Sequence, residues 1–250
     1  MNDPIIDLHE WFDKPLGRYL LEWESDKYNK AVTDSFGFHA LQIGLPQIDT
    51  LSANRMPHRW LLTQIQFPNS KLVSESHSLP FPANSIDLVI LPHSLEFSSD
   101  PHATLREVDR VLVPEGRVII CGLNPLSLWG LSKFIRQLVR RFGLGNLMIP
   151  SGVDFLAYWR IRDWLRLLSF DVVSNEFGCY CLPIQNSNWL KRTKWLDKVG
   201  NRLFPIFGGA YFIVGVKKVR GMTLLSPKWR KGKVKSRKTV SVVNNQAKFK

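Results

Sequence analysis

The order of apolar segments along the chain predicts an α/β fold, a doubly wound parallel sheet preceded by an N-terminal helix. Ser85–Leu91 and Arg117–Leu123 are short apolar runs of the kind that form strands buried on both faces. Between them, Leu105, Val108, Val111 and Leu112 recur at helical spacing. Strand, helix and strand at these separations indicate a parallel crossover, and the alternation persists to residue 216.

The N-terminal helix is predicted from Trp11 to Ala31, and Phe36-Gly-Phe38 ends it. Its apolar side has Leu16, Leu20, Trp23 and Tyr28, and its opposite, polar side is expected to have Glu22, Glu24 and Asp26. The next apolar run, Ala40–Leu45, is closed by Pro46 and predicts the first buried strand. A second strand is expected at residues 59–65.

The helix between the two central strands has clear terminal signals. Asp100-Pro101 opens it, since Asp caps free amide groups and Pro fits the first helical turn. Pro114-Glu-Gly116 is expected to end it. Further helices are predicted at residues 126–142 and 161–168, and strands at residues 170–173 and 210–216.

Cysteine content and terminal composition indicate an intracellular setting. The chain has three cysteines, and Cys179-Tyr-Cys181 places two thiols on one face of a strand rather than in a metal knuckle. We therefore expect buried, reduced thiols and no structural metal. The acidic N-terminus, with Asp3, Asp7 and Glu10, does not resemble a secretory signal, and no apolar run is long enough to span a bilayer. The sequence predicts a cytoplasmic protein.

Net charge separates a neutral body from a basic tail. The formal charge is +13, but residues 217–250 contain 12 Lys or Arg and no Asp or Glu. The remaining 22 basic and 21 acidic residues leave residues 1–216 at only +1. The tail is expected to be disordered when unbound, and it either solubilises the chain or binds RNA phosphates.

Three blocks resemble the type 11 family of class I S-adenosylmethionine-dependent methyltransferases. They are Glu75-Ser-His-Ser-Leu-Pro-Phe81, Ser85-Ile-Asp-Leu-Val89, and the stretch from Asp100 through Val113-Pro-Glu-Gly-Arg117 to Ile120. The resemblance implies a Rossmann-like fold, with residues 36–123 as the cofactor-binding half and residues 124–216 as the acceptor side and final strands. It also implies S-adenosylmethionine as cofactor and an acceptor that is not identified.

The glycine-rich loop of that family is only partly present. Gly44 matches it, whereas Gln42 stands where the family has an acidic residue, and Pro46 and Ile48 stand where it has glycines. The second strand, residues 59–67, lacks the carboxylate that holds the ribose in the family, and Gln64 and Gln66 are its weak substitutes. The cofactor-binding residues implied by the resemblance are Gly44, Glu75, Ser76, Leu91, Pro92 and His93.

Candidate catalytic residues follow the two central strands. Methyl transfer from a sulfonium needs alignment above all, so a base is required only for a protonated nucleophile. His93 and Glu96 are the candidates after the first of these strands, and the alternative for His93 is a hydrogen-bonded structural histidine. Asn124 either positions a substrate or caps the following helix. Trp129, Trp159 and Trp164 are expected to pack in the core.

Two functions from different classes agree with these observations. The first is a methyltransferase that uses S-adenosylmethionine. The second is a non-catalytic module of the same fold that binds RNA or an acidic partner through residues 217–250, where Trp229-Arg-Lys231 and Lys235-Ser-Arg-Lys238 are the basic clusters.

Overall fold

A seven-stranded sheet with helices on both faces makes up the computed structural model, which describes residues 10–132, 154–181, 183, 187–193 and 195–218. The elements in chain order are α1 (Pro15–Thr33), β1 (His39–Ile43), β2 (His58–Thr63), β3 (Leu72–Val73), β4 (Ile86–Pro92), α2 (Ser94–Phe97), α3 (Pro101–Val111), β5 (Leu112–Leu123), α4 (Tyr158–Leu167), β6 (Phe170–Gly178), α5 (Ser187–Thr193), α6 (Trp195–Leu203), a 3-10 turn (Pro205–Phe207) and β7 (Ala210–Lys217). None of the described helices is long and apolar enough to cross a bilayer.

The sheet order is β3-β2-β1-β4-β5-β7-β6, and the predicted doubly wound sheet is confirmed. One strand departs from the parallel direction of the rest of the sheet. Strands β1 to β5 pair in parallel, but β7 is antiparallel to both β5 and β6. The chain leaves β6 at Gly178 and enters β7 at Ala210, which is paired with Gly178. The connection therefore needs no crossover, and β7 runs antiparallel to β6.

Alternate residues of the central strands belong to two separate hydrophobic cores, one on each face of the sheet. On one face, Leu41, Val89 and Ile120 pack with Leu105, Val108, Ile161 and Leu165 from α3 and α4. On the other face, Ala40, Leu88, Ile90 and Ile119 pack with Tyr28 and Val32 from α1. The period of two places successive side chains on opposite faces, which is why these strands are apolar throughout.

Four sequence predictions about local structure differ from the structure. Residues 10–12 are helical, but a break at residues 13–14 separates them from α1, which begins at Pro15. Helix α1 buries Glu24 completely instead of exposing it on a polar side. Helix α3 ends at Val111, and Pro114 and Gly116 lie inside the irregular first part of β5. Cys179 follows the end of β6 rather than lying in a strand, although it, Cys121 and Cys181 are buried and free, as expected.

The connection between β1 and β2, residues 44–57, contains turns and no helix. A helix usually satisfies its own backbone, so buried side chains do that work here. Asn54 donates to the carbonyl oxygens of Val32 at 2.9 Å and Ser35 at 3.3 Å, and its own oxygen accepts from the Met56 amide. These hydrogen bonds therefore hold the loop against the C-terminal end of α1.

The basic tail lies outside the described residues apart from its first two lysines. Lys217 is the last residue of β7, and its ammonium donates to the carbonyl oxygens of Asp109 and Leu112. Lys218 lies 3.6 Å from the Glu115 carboxylate. The ammonium groups of Lys217 and Lys218 therefore have partners within the folded domain. The predicted helix at residues 126–142 also falls largely outside the described residues, which show its start only as far as residue 132.

Candidate functional site

A cleft opens at the carboxyl ends of β1, β2 and β4, the edge at which open parallel sheets bind ligands. Its walls come from residues 43–46, from residues 62–65 with Phe67, and from residues 92–94 with Phe97, and Ser76 also lines it. Its volume is about 60 Å³. Small-molecule sites usually measure about 300–1,000 Å³, so this one is narrow.

The wall formed by β1 is held by one neutral side chain, Gln42. Its amide nitrogen donates to the carbonyl oxygens of Gly44 at 3.2 Å, Leu45 at 2.9 Å and Ile48 at 2.8 Å. Its amide oxygen accepts from the Thr50 hydroxyl at 2.7 Å and the Thr50 backbone N–H at 3.2 Å. A carboxylate has no donor for three carbonyl oxygens, which explains why an amide replaces the family's acidic residue.

Gly44 occupies the position where the chain turns out of β1. Its φ is +79°, in the left-handed region that favours glycine, and an added Cβ would lie 2.9 Å from the Ser94 hydroxyl oxygen. Ser94 in turn donates to the carbonyl oxygen of Ile43. Leu45 and Ile48, in contrast, turn into the core. Of the two residues that replace the family's glycines, Ile48 therefore packs in the core, whereas Pro46 lines the cleft.

Thr63, the last residue of β2, brings a buried hydroxyl to the cleft. The hydroxyl has no hydrogen-bond partner among the described residues, and the residue is 2% exposed. An unsatisfied buried hydroxyl costs about 1–3 kcal/mol, so it marks a place for a ligand group or water. Gln64 also lines the cleft, whereas Gln66 is exposed and lies outside the lining.

The wall formed by β4 is held by an ionic cluster of Glu24, His93 and Glu96. Nε2 of His93 lies 2.6 Å from Oε1 of Glu24, and Nδ1 lies 2.9 Å from Oε2 of Glu96. Glu96 also accepts from the Leu123 backbone N–H, and the Cys121 thiol donates to Glu24 at 3.3 Å. The cluster joins α1 to the ends of β4 and β5.

This cluster retains a proton at neutral pH. Burial lowers the pKa of His93, but the charges of Glu24 and Glu96 and their hydrogen bonds outweigh burial and raise it to about 10. Burial raises the pKa of Glu96, and the charge of His93 opposes that shift only in part. The imidazolium is thus the counter-charge that makes two buried carboxylates tolerable.

Glu24, His93 and Cys121 also form a set of metal-ligating groups whose donor atoms lie within 4.8 Å of one another. Tetrahedral ligands of a zinc ion are separated by about 3.3–3.7 Å, given metal–ligand distances of 2.0–2.3 Å. The 2.6 Å between His93 Nε2 and Glu24 Oε1 is a hydrogen-bond distance instead. The geometry favours a proton over a metal at this position.

The sequence-predicted site residues are only partly brought together. Gly44, Ser76, Pro92 and His93 line the cleft. Leu91 is buried in the core on one face of the sheet. Glu75 is exposed, 3.4 Å from the His77 ring and outside the cleft lining, so its adenine contact stays a prediction.

The remaining candidates have structural partners. The Asn124 amide nitrogen donates to the carbonyl oxygens of Ile206 and Gly208, and its oxygen accepts from the Leu126 N–H. Trp129 is fully buried, as predicted, and Trp164 is partly buried against the core. Trp159 is 46% exposed, so the core prediction for it is wrong.

Two site residues escaped the sequence analysis. Glu24 is the middle member of Leu20, Glu24 and Tyr28, which recur every four residues on one buried face of α1. That spacing indicates that Glu24 is buried, but the rule that charged side chains seldom lie in the protein interior outweighed it. Thr63 ends β2, where the family has the carboxylate that holds the ribose. Only the folded structure shows that its hydroxyl is unpaired among the described residues.

Comparisons with known proteins place the chain in a family of methyltransferase-like proteins. The family profile described as a methyltransferase domain matches residues 52–120. Uncharacterized protein YafS of Escherichia coli is 32% identical over 232 residues, which cover 92% of this chain and 89% of YafS. Uncharacterized methyltransferase YcgJ of Bacillus subtilis is 29% identical over 118 residues, covering 47% of this chain and 43% of YcgJ.

Solved structures show the same fold. An S-adenosylmethionine-dependent methyltransferase from Archaeoglobus fulgidus superposes with a TM-score of 0.55 at 17% identity, covering 79% of this chain and 94% of that one. The crystal structure of YcgJ gives a TM-score of 0.52 at 19% identity, covering 79% of this chain and 99% of that one.

The sheet order, the antiparallel β7 and the cleft at the carboxyl edge define a class I methyltransferase fold. Within that class, the chain belongs to the family that includes YafS of Escherichia coli.

Proposed function

We propose that the protein binds S-adenosylmethionine in the cleft and transfers its methyl group to an acceptor. The observation that carries the proposal is the meeting of Gly44 and the unpaired Thr63 hydroxyl at one cleft, beyond the carboxyl ends of β1 and β2. The family relationship supports it, since class I methyltransferases use this edge of the sheet.

Two residues of the cleft offer groups that suit the chemistry of the cofactor. Thr63 can hydrogen-bond a ribose hydroxyl where the family uses a carboxylate, and Gly44 keeps side chains away from the turn after β1. A volume of about 60 Å³ does not hold a nucleoside, so binding requires the side chains of Ile65, Phe67 and Phe97 to rotate. We therefore expect weaker binding than in a preformed site.

The bound cofactor would supply an electrophilic methyl group on a sulfonium, and the chain would supply alignment. His93 is protonated at neutral pH and has both ring nitrogens occupied, so in this proposal it positions the β4 wall and is not a base. Glu96 orients His93, and Asn124 fixes the backbone of residues 206–208. An acceptor that is already deprotonated or has a free lone pair needs nothing more.

Isothermal titration of the full chain with S-adenosylmethionine and with its demethylated product tests the proposal. We expect saturable binding, and Thr63→Val should weaken it by about 3- to 10-fold through loss of one hydrogen bond. Thr33→Val, which removes an exposed hydroxyl on α1, is the matched control and should bind normally. Absence of binding at millimolar cofactor in folded protein would refute the proposal.

The alternative, an RNA-binding module, depends on residues 219–250, which lie outside the described residues. It stays a prediction. A gel shift with full-length protein and a variant ending at residue 218 tests it, because loss of the tail should reduce both the affinity and its salt dependence.

A further inference from the structure

The connection between β6 and β7 carries an exposed apolar face. On α6, Trp195, Val199 and Leu203 recur every four residues and are 60%, 39% and 61% exposed. Phe204, Ile206 and Phe207 follow directly and are about half exposed. Single exposed apolar side chains are ordinary, but six within thirteen consecutive positions form a patch of the kind that marks an interaction site. We call residues 195–207 the apolar face.

The sequence of this segment and of the helix before it is rich in basic residues. Residues 187–207 contain five of them (Lys191, Arg192, Lys194, Lys198 and Arg202) and one acid, Asp197. Asp197 points inward, where its carboxylate accepts from the Tyr19 hydroxyl and the Tyr180 backbone N–H. Arg192 and Arg202 are exposed. The outer side of this segment is therefore apolar and cationic.

The apolar face lies at the same edge of the sheet as the cleft. Gly178 ends β6 opposite Ala210, which pairs with Leu123 at the carboxyl end of β5. The two hydrogen bonds from Asn124 tie the 3-10 turn to that edge. Open α/β sheets bind their ligands at this edge.

We propose that the apolar face docks on an anionic membrane surface. An amphipathic helix with apolar side chains on one side and Lys or Arg beside them inserts shallowly among lipid headgroups, and anionic lipids attract its charges. A second copy of the chain would place the same positive charges against each other, which opposes self-association through this face. The proposal is independent of cofactor binding.

Vesicle flotation of the full chain tests this proposal. We expect binding to vesicles of phosphatidylcholine with phosphatidylglycerol and much weaker binding to phosphatidylcholine alone. The double variant Leu203→Gln/Phe207→Gln should partition about tenfold less, since it removes apolar contacts without changing charge. Leu167→Gln, which alters an equally exposed leucine on α4, is the matched control and should bind as the parent does.

The basic tail alone would give a different result. Binding through the tail depends chiefly on its Lys and Arg residues, so it would fall steeply at about 0.5 M salt and would not respond to the double variant. Docking through the apolar face should leave measurable binding at that salt concentration. Equal binding of parent and double variant overturns the proposal, as does a dimer in light scattering that the double variant dissociates. Both variants change exposed side chains, so unchanged thermal unfolding confirms that they are folded.

Discussion

The two walls of the cleft are held by polar networks of different kinds. On the β1 side, Gln42 satisfies three carbonyl oxygens and one threonine without any charge. On the β4 side, His93 lies between Glu24 and Glu96 and carries a proton. Both networks are buried, but the first fixes the irregular loop after β1, whereas the second joins α1 to α2 and to the end of β5.

The difference lies in what each network requires. The amide network needs only its geometry, so it holds the β1 wall equally well at any pH at which the protein is folded. The ionic cluster needs its proton, because two buried carboxylates without a counter-charge repel each other and lose their hydration. One wall is therefore fixed, and the other depends on protonation.

Loss of the imidazolium should give the largest effect. His93→Gln leaves Glu24 and Glu96 buried without a counter-charge, and we expect a loss of about 3–5 kcal/mol in the free energy of unfolding. Urea denaturation at pH 7 measures it. His77→Gln, at an exposed histidine beside Glu75, is the matched control and should change stability by less than about 0.5 kcal/mol. Equal stability of the two variants would show that the cluster is not ionic.

Removal of the Gln42 amide should give the second-largest loss in the free energy of unfolding. Gln42→Leu keeps the volume but removes the side-chain donor of the Ile48 carbonyl oxygen and leaves the Leu45 carbonyl oxygen with only the Ile48 N–H at 3.4 Å. The loss should cost about 2–4 kcal/mol. The control is Gln66→Leu, at an exposed position on the β2 side. A loss below about 1 kcal/mol would mean that water replaces the amide readily.

Stability should fall as pH rises from neutral. The folded-state pKa of His93, about 10, lies above its ordinary value of 6.5, so its stabilisation is complete below pH 6.5 and is lost towards pH 10. The raised pKa of Glu96 acts in the same direction. We expect a decrease on the order of 2 kcal/mol between pH 7 and pH 10, measured by denaturation. Gln42→Leu should keep this slope and His93→Gln should flatten it, and parallel slopes would contradict the comparison.

The smallest effect is expected at the edge of the neutral network. Thr50→Val removes the hydroxyl that donates to Gln42 at 2.7 Å while the Thr50 backbone N–H still donates, so about 1 kcal/mol should be lost. Thr33→Val provides the control, with a change within about 0.5 kcal/mol. A loss as large as that of Gln42→Leu would show that the hydroxyl, not the carbonyl oxygens, dominates the network.

Local signals predicted the regular parts of the fold well. The Asp100 carboxylate accepts from the Ala103 N–H at 2.9 Å, as the Asp-Pro pair predicted, and the apolar runs of β4 and β5 form the centre of the sheet. Glu24 was misplaced because the expectation that carboxylates face solvent outweighed its spacing of four residues from Leu20 and Tyr28. Its partner His93 is 69 residues away in sequence, so no local pattern could reveal the pairing.

The sequence by itself determined the α/β alternation, the methyltransferase resemblance and the position of Gly44, because these depend on neighbouring residues and on recurring spacing. Tertiary structure alone decided that the Gln42 amide, in place of an acid, donates hydrogen bonds to backbone carbonyl oxygens. It also decided that the Thr63 hydroxyl is left unpaired among the described residues, and that His93 shares its proton with two carboxylates. Burial and contacts between distant segments set the cost of each polar group, and neither can be evaluated before the chain is folded.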